Sequence, residues 1–200
     1  PNGQLLVTAS IDRSVRLWQL SKHYSKEIIS HSRQVNCVLF SSDGKFILTS
    51  SVDCTVRLWD SNGNELRVIK GHEARVWSVC MSSDTQTIAT SSTDHSAKLW
   101  NLKGKELFVL SGHTKWIKRI CFSPNETYIL TASADCTCRI WDFKGNLLRI
   151  LKHVDEVWDV DASPDSQYFV TAGADGIVYY WSFKGKLRFK FQAHDRRISR

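Results

Sequence analysis

Apolar and polar residues alternate along short stretches of the chain, with turn residues between the stretches. The pattern is clear after His72, where Val76-Trp77-Ser78-Val79-Cys80-Met81 alternates and polar residues follow from Ser82 to Thr85. Such alternation predicts half-buried β-strands, and no stretch of 12 residues has a convincing helical period. The four strands predicted in this stretch span 76–81, 87–91, 96–100 and 106–110. The pattern therefore predicts an all-β fold.

The same pattern recurs along the chain as an internal repeat. Five tryptophans are spaced by 41, 41, 41 and 40 residues, an aspartate stands six residues before each, and a threonine stands four residues before each aspartate. A histidine recurs with the same period. The recurring residues are Trp18, Trp59, Trp100, Trp141 and Trp181; Asp12, Asp53, Asp94, Asp135 and Asp175; Thr8, Thr49, Thr90, Thr131 and Thr171; and His31, His72, His113, His153 and His194. A fixed period of this length indicates a repeat architecture.

Two dipeptides and the spacing between them resemble those of the WD-repeat β-propellers. The dipeptides are Gly71-His72 and Gly112-His113, and Trp59-Asp60 and Trp141-Asp142. The other repeats depart from them: Gln19, Asn101 and Ser182 follow the tryptophan, and Ser30, Lys152 and Ala193 precede the histidine. The resemblance covers essentially the whole chain, and it implies four-stranded antiparallel blades.

The number of blades is a separate question. Residues 1–200 hold slightly less than five repeats and show no second domain. Because most members of the resembled family close with seven blades, we expect this segment to be part of a seven-bladed or larger propeller. A five-bladed ring is the alternative, in which the chain from Ile198 onward supplies the first strand to the blade of residues 4–20.

Histidine, threonine and aspartate in one repeat invite a catalytic-triad interpretation. The set occurs four times, however, and an enzyme does not need four nucleophiles at a fixed period, so we predict no enzyme. The resemblance implies buried hydrogen-bond networks, in which tryptophan donates, threonine relays and histidine bridges to aspartate. The four predicted networks are His31, Thr49, Asp53 and Trp59; His72, Thr90, Asp94 and Trp100; His113, Thr131, Asp135 and Trp141; and His153, Thr171, Asp175 and Trp181.

Three tryptophans remain outside the repeat pattern: Trp77, Trp116 and Trp158. They stand three or five residues after a histidine, and the resemblance places these positions, with the residue before each turn aspartate, on the top face where partners bind. The positions are Gln34, Asn36, Val52, Arg75, Trp77, Thr93, Trp116, Lys118, Ala134, Glu156, Trp158, Ala174, Arg197 and Ser199. Tryptophan and arginine are enriched at binding hot spots, so we predict a site for a protein or peptide centred on Arg75, Trp77, Trp116, Lys118 and Trp158.

Two other interpretations of the three tryptophans stay open. They could pack the top of one blade against its neighbour. They could also form an aromatic cage for a methylated ammonium, although nothing in the sequence brings the rings together.

The positive charge of the chain suggests a second possible function. The chain carries a formal net charge of +7, and basic residues crowd the last repeat. They are Lys184, Lys186, Arg188, Lys190, Arg196, Arg197 and Arg200. Binding to RNA or a ribonucleoprotein through this repeat is the alternative. Four further basic residues stand two residues before a tryptophan: Arg16, Arg57, Lys98 and Arg139. We expect their charged groups to be exposed to solvent, and the less favoured interpretation is that they form a row of binding residues.

The remaining predictions concern what the chain lacks. We expect no metal or cofactor, since no ligand spacing and no glycine-rich phosphate loop is present. The longest apolar run has five residues and no secretory leader is seen, so we expect no membrane association. The spacing of the six cysteines favours reduced thiols, and hence the cytoplasm, with the nucleus as an alternative.

Overall fold

The computed structural model describes residues 3–22, 24–29 and 31–198 and is built of five antiparallel sheets. Sheet 1 has three strands, and sheets 2 to 5 have four each. The strands are β1 (Leu5–Ala9), β2 (Ser14–Gln19) and β3 (Tyr24–Ile29); β4 (Val35–Phe40), β5 (Phe46–Ser51), β6 (Val56–Asp60) and β7 (Glu65–Ile69); β8 (Val76–Met81), β9 (Thr87–Ser92), β10 (Ala97–Asn101) and β11 (Glu106–Leu110); β12 (Ile117–Phe122), β13 (Ile129–Ser133), β14 (Thr137–Trp141) and β15 (Leu147–Lys152); and β16 (Val157–Ala162), β17 (Tyr168–Gly173), β18 (Ile177–Ser182) and β19 (Leu187–Gln192). The all-β prediction is confirmed, and the four strands predicted after His72 are placed to within one residue.

Consecutive sheets pack face to face like the blades of a propeller. The first strands β4, β8, β12 and β16 contact one another in turn, whereas the fourth strands lie at the periphery with mostly exposed side chains. Because successive strands are antiparallel, the turns alternate between the two ends of each sheet. We call the end where the first strands begin the rim.

The repeated tryptophan is part of the core between sheets. Trp100 is 2% exposed and packs with Leu58 and Val56 of the preceding sheet, and Trp141 packs with Leu99 in the same way. The second strands β5, β9 and β13 are covered on both faces, so they are buried almost throughout, and the polar residues that they bury are small serines and threonines. Full burial of one large apolar side chain contributes about 1.5–3 kcal/mol, so the repeat of large apolar residues holds the sheets together.

A bulge recurs near the start of every first strand in sheets 2 to 5. In sheet 3, Val76 pairs with Ser92 and Ser78 with Ser91, so the residue between them has no partner on β9. A bulge leaves one extra residue and changes the direction of its side chain. The four bulged residues are Asn36, Trp77, Lys118 and Trp158.

The number of blades stays a prediction. β1 pairs only with β2 among the described residues. The N–H of Ile198 donates to the carbonyl of Gly173, as the N–H of Val35 does to that of Ser10, so Ile198 lies where a following first strand would begin.

Candidate functional site

The first three networks form one hydrogen-bonded chain each. In sheet 3, Trp100 Nε1 donates to Thr90 Oγ1 at 2.9 Å, Thr90 Oγ1 lies 2.7 Å from His72 Nε2, and His72 Nδ1 lies 2.7 Å from Asp94 Oδ2. Since Thr90 accepts from the indole, its hydroxyl donates to Nε2, and Nδ1–H donates to the carboxylate. The equivalent sets of His31, Thr49, Asp53 and Trp59, and of His113, Thr131, Asp135 and Trp141, are bonded in the same order.

Burial and hydrogen bonds together shift the pKa values of these groups. Burial lowers the pKa of His31 and His113, although the bonds to their aspartates oppose the shift. For Asp135, burial alone would raise the pKa, but hydrogen bonds from His113 and Thr137 outweigh it and hold the pKa below its ordinary value. The threonines are fully buried and their hydroxyls are bonded. The sets offer satisfied internal bonds and no exposed nucleophile.

The fourth set departs from the prediction. His153 Nε2 and Trp181 Nε1 both bond to Thr171 Oγ1, at 2.7 and 2.9 Å, but His153 Nδ1 donates to the carbonyl of Leu151 instead of Asp175. The predicted bond from His153 to Asp175 is therefore wrong. Asp175 instead accepts a hydrogen bond from the hydroxyl of Tyr179 at 2.7 Å, and the Tyr179 ring lies edge-on to His153.

We expected the charged groups of the residues two positions before each tryptophan to be exposed to solvent, and this expectation is wrong for Arg139. Its side chain is buried, and Nη2 donates to the carbonyl of Gly112 at 2.8 Å. Lys98 makes the same bond to Gly71 and also pairs with Glu106. These cations tie a strand to the loop that carries the histidine, so they are structural.

The bulged residues converge on one cavity at the rim. The cavity has a volume of about 380 Å³ and collects side chains from the first strands of sheets 2 to 5. Its lining consists of Asn36, Trp77, Ser78, Lys118, Arg119, Trp158, Asp159 and Arg197. The structure thus brings together residues up to 161 positions apart, Asn36 and Arg197.

Three tryptophan rings surround the ammonium of Lys118. Its Nζ lies 3.5 Å from the ring centroid of Trp158, 4.7 Å from that of Trp116 and 5.6 Å from that of Trp77. The rings of Trp77 and Trp116 are themselves 5.7 Å apart. Each cation–π contact contributes about 0.5–1 kcal/mol at an exposed site and more where water is excluded. The rim therefore holds a preformed aromatic cluster that is filled by the chain's own cation.

Two further cations flank this cluster. The Arg75 guanidinium lies 4.9 Å above Trp77, and that of Arg197 lies 5.0 Å above Trp158. Burial lowers the pKa of Lys118, with Glu156 acting in the opposite direction. The Glu156 carboxylate accepts a hydrogen bond from Trp158 Nε1 at 2.9 Å.

The other predicted positions lie apart from the cavity. Arg75 and Trp116 share a second, shallower groove with Val52 and Thr93. Gln34 lines neither cavity, and its carbonyl accepts from the N–H of Val52. Ala134 is fully buried, and its N–H bonds to Trp116. The N–H of Ala174 bonds to Glu156. Ser199 lies outside the described residues.

The described basic residues of the last repeat are spread over both ends of sheet 5 and its outer strand. Lys184 and Lys186 lie in the turn at the end opposite the rim, Arg188 and Lys190 lie on β19, and Arg196 and Arg197 lie at the rim. Arg200 is outside the described residues.

Comparison with protein families gives matches along most of the chain. The model described as "WD domain, G-beta repeat" matches residues 1–19, 23–60, 63–101, 104–142 and 145–182. A search of curated proteins found no significant match. Among the described residues, no helix has the length and apolar character needed to cross a membrane. In the same part of the chain, no group of three or more histidine, cysteine, aspartate or glutamate residues could hold a metal ion.

Proposed function

The chain belongs to the WD-repeat family, and from that premise we propose that it binds a protein or peptide partner at the rim. Repeats of this family generally form non-catalytic scaffolds for protein–protein interaction. The residues we propose as the binding surface are Arg75, Trp77, Trp116, Lys118 and Trp158, with Asn36, Glu156 and Arg197 at its edges. The single observation that carries the proposal is the convergence of three half-buried tryptophan rings on Lys118 beside an open cavity.

The geometry supports binding over simple packing of blades. The core tryptophans are almost fully buried and bonded to threonine, whereas Trp77 and Trp116 are only partly buried. Aromatic side chains that are partly exposed, rigid and flanked by arginine have the composition of an interaction hot spot. Their cost of ordering on binding is small, because the rings are already held together.

The rim does not favour a methylated ammonium as ligand. The rings are close enough to form a cage, which the sequence did not indicate, but Lys118 already occupies it. A second cation would also be repelled by Arg75 and Arg197, which lie over the outer rings.

The proposed role is non-catalytic, as the sensor or recruiting part of a larger signalling or assembly protein. We propose the cytoplasm as its location, with the nucleus as an alternative. All six cysteines are free thiols and three of them are buried, which supports a reducing compartment.

The test is affinity capture from cell lysate, with and without nuclease, using the protein in its full-length context. The variant replaces Trp77, Trp116 and Trp158 by alanine. The matched control replaces three leucines by alanine: Leu66, Leu107 and Leu148. They are the bulged and exposed residues of the outer strands β7, β11 and β15. Circular dichroism and melting check that both variants fold.

We expect a set of proteins that the parent and the leucine variant retain and that the tryptophan variant loses, with no effect of nuclease. Equal retention by all three, abolished by nuclease or high salt, would reject the rim surface and favour binding of RNA through the basic last repeat.

A further inference from the structure

The rim holds three cations, and the carboxylate of Glu156 lies near one of them, Lys118. Among the described residues, the side chains of Arg75, Lys118 and Arg197 form no hydrogen bond and no salt bridge, and each is held against a tryptophan ring. An ammonium has three N–H donors, and a ring face accepts from them only weakly. These donors therefore remain available to an oxygen that enters the cavity.

Deeper in the cavity the charges are neutralised. The Arg119 side chain lies 3.3 Å from the carboxylate of Asp159 and also reaches the hydroxyl of Ser78. The one acidic side chain close to Lys118 at the rim, Glu156, is bonded to Trp158 Nε1. The chain thus pairs Arg119 with Asp159. At the mouth, the bond from a neutral indole leaves the charge of Glu156 in place, but the three cations outnumber this carboxylate and make the mouth of the cavity electropositive.

A further donor at the cavity has no acceptor. Trp77 Nε1 is shielded from solvent and has no hydrogen-bond partner in the described part of the chain, although Trp77 lines the cavity. Buried donors without partners are rare in folded proteins and call for an explanation.

The arrangement suits a peptide carboxylate better than a nucleic acid. Proteins that bind single strands present a basic groove along several phosphates. Here Lys118 and Arg197 line one cavity, and Arg75 stacks on its neighbouring ring Trp77. A single aspartate or glutamate side chain fits this geometry, and the tryptophans flank its aliphatic part.

Building on the proposed function, we propose that the partner is an acidic peptide segment that inserts one carboxylate into this cavity. Lys118 donates to the carboxylate from within the aromatic cluster, and Arg197 supplies a second charge-assisted bond from the rim. Arg75 binds the flanking peptide.

The test measures binding of a capped, fluorescein-labelled hexaglutamate by fluorescence anisotropy, with hexaglutamine as the neutral probe. The variants are Lys118→Gln, Lys118→Arg and Lys144→Gln. Lys144 is the matched control because it is exposed and lies in a turn at the opposite end of its sheet. All proteins are prepared in the full-length context and checked for folding.

We expect hexaglutamate to bind and hexaglutamine not to bind. Lys118→Gln should weaken hexaglutamate binding by about tenfold or more, the effect of one lost charge-assisted bond. Lys118→Arg should retain most of the affinity, and Lys144→Gln should equal the parent. No binding of hexaglutamate, or equal loss in the Lys118→Gln and Lys144→Gln variants, would overturn the inference.

An oligothymidylate competitor separates a peptide site from general anion binding. We expect it to displace hexaglutamate weakly; displacement at equal concentration, with the same sensitivity to Lys118→Gln, would overturn the choice of a peptide. Failure of the carboxylate inference is distinguishable from failure of the proposed binding of a protein at the rim. If proteins are lost by the tryptophan variant but kept by Lys118→Gln, the rim surface stands and the carboxylate inference falls.

Discussion

Tyr179 donates a hydrogen bond from its hydroxyl to the carboxylate of Asp175, across 2.7 Å. In sheet 3 the residue equivalent to Tyr179 is Lys98, which bonds instead to a backbone carbonyl. Asp94 of that sheet accepts from His72. In the fourth set, therefore, the aspartate has a tyrosine instead of the histidine as its partner, and His153 has a backbone partner.

The two aspartates should differ in their effect on stability. Asp94→Ala leaves His72 Nδ1–H without its acceptor and removes the bonds to the loop, so we expect a loss of about 1–3 kcal/mol in the free energy of unfolding. Asp175→Ala should cost less, because His153 keeps its bond to Leu151. Urea unfolding of the full-length protein measures both. Equal losses would contradict the difference between the two networks.

The rim and core tryptophans should also behave differently. Trp100 is almost fully buried and its indole is bonded to Thr90, so Trp100→Ala should cost about 3–5 kcal/mol. Trp77 is bulged out of its ladder at the rim, and we expect Trp77→Ala to cost about 1 kcal/mol or less. Thermal unfolding with circular dichroism gives the comparison. A loss for Trp77→Ala as large as that for Trp100→Ala would favour the packing interpretation and remove the main support for the binding surface.

Acid should destabilise the fold in two stages. Burial lowers the pKa of His31 and His113 below 6.5, so the unfolded chain binds more protons than the folded one as the pH falls below that value. Stability is therefore full above about pH 6.5 and declines below it. The second stage follows below pH 3.8, the ordinary pKa of an aspartate. Hydrogen bonds hold the pKa of Asp135 below this value, although burial acts in the opposite direction, so protonation of the aspartate favours the unfolded chain.

Urea unfolding between about pH 8 and pH 4 measures the first stage, which lies in the range where histidine titrates. His113→Gln should reduce the slope, and His95→Gln should leave it unchanged, because His95 is exposed and belongs to none of the four networks. Stability that stays constant across this range would show that the buried histidines do not govern it.

Much of the fold follows from local pattern. Alternation within each strand and the marks at Trp100, Asp94 and Thr90 locate strands and turns, since each depends on neighbours within about ten residues in the chain. The departure of the fourth network, in which Tyr179 bonds to Asp175, is also marked in the sequence. Ile177 stands where the other full repeats carry Thr55, Ser96 and Thr137, so the hydroxyl that supports the aspartate is missing from the fourth set.

The candidate site was predictable only as a set of positions. The offset from the histidine selects Trp77, Trp116, Lys118 and Trp158, but it gives no distances between them. The cation at the centre of the three rings could not be foreseen, because the bulges that redirect these side chains have no clear mark in the sequence.

The sequence by itself determined the repeat, the strands and the partners within the first three networks, because these interactions join residues of one repeat. The tertiary structure alone decided that Trp77, Lys118 and Trp158 meet, since they lie on three different sheets and the packing of those sheets sets their separation. It also decided which cations are paired. The Arg119 side chain reaches Asp159 across a sheet boundary, whereas Lys118 lies among three aromatic rings and forms no salt bridge with the described residues.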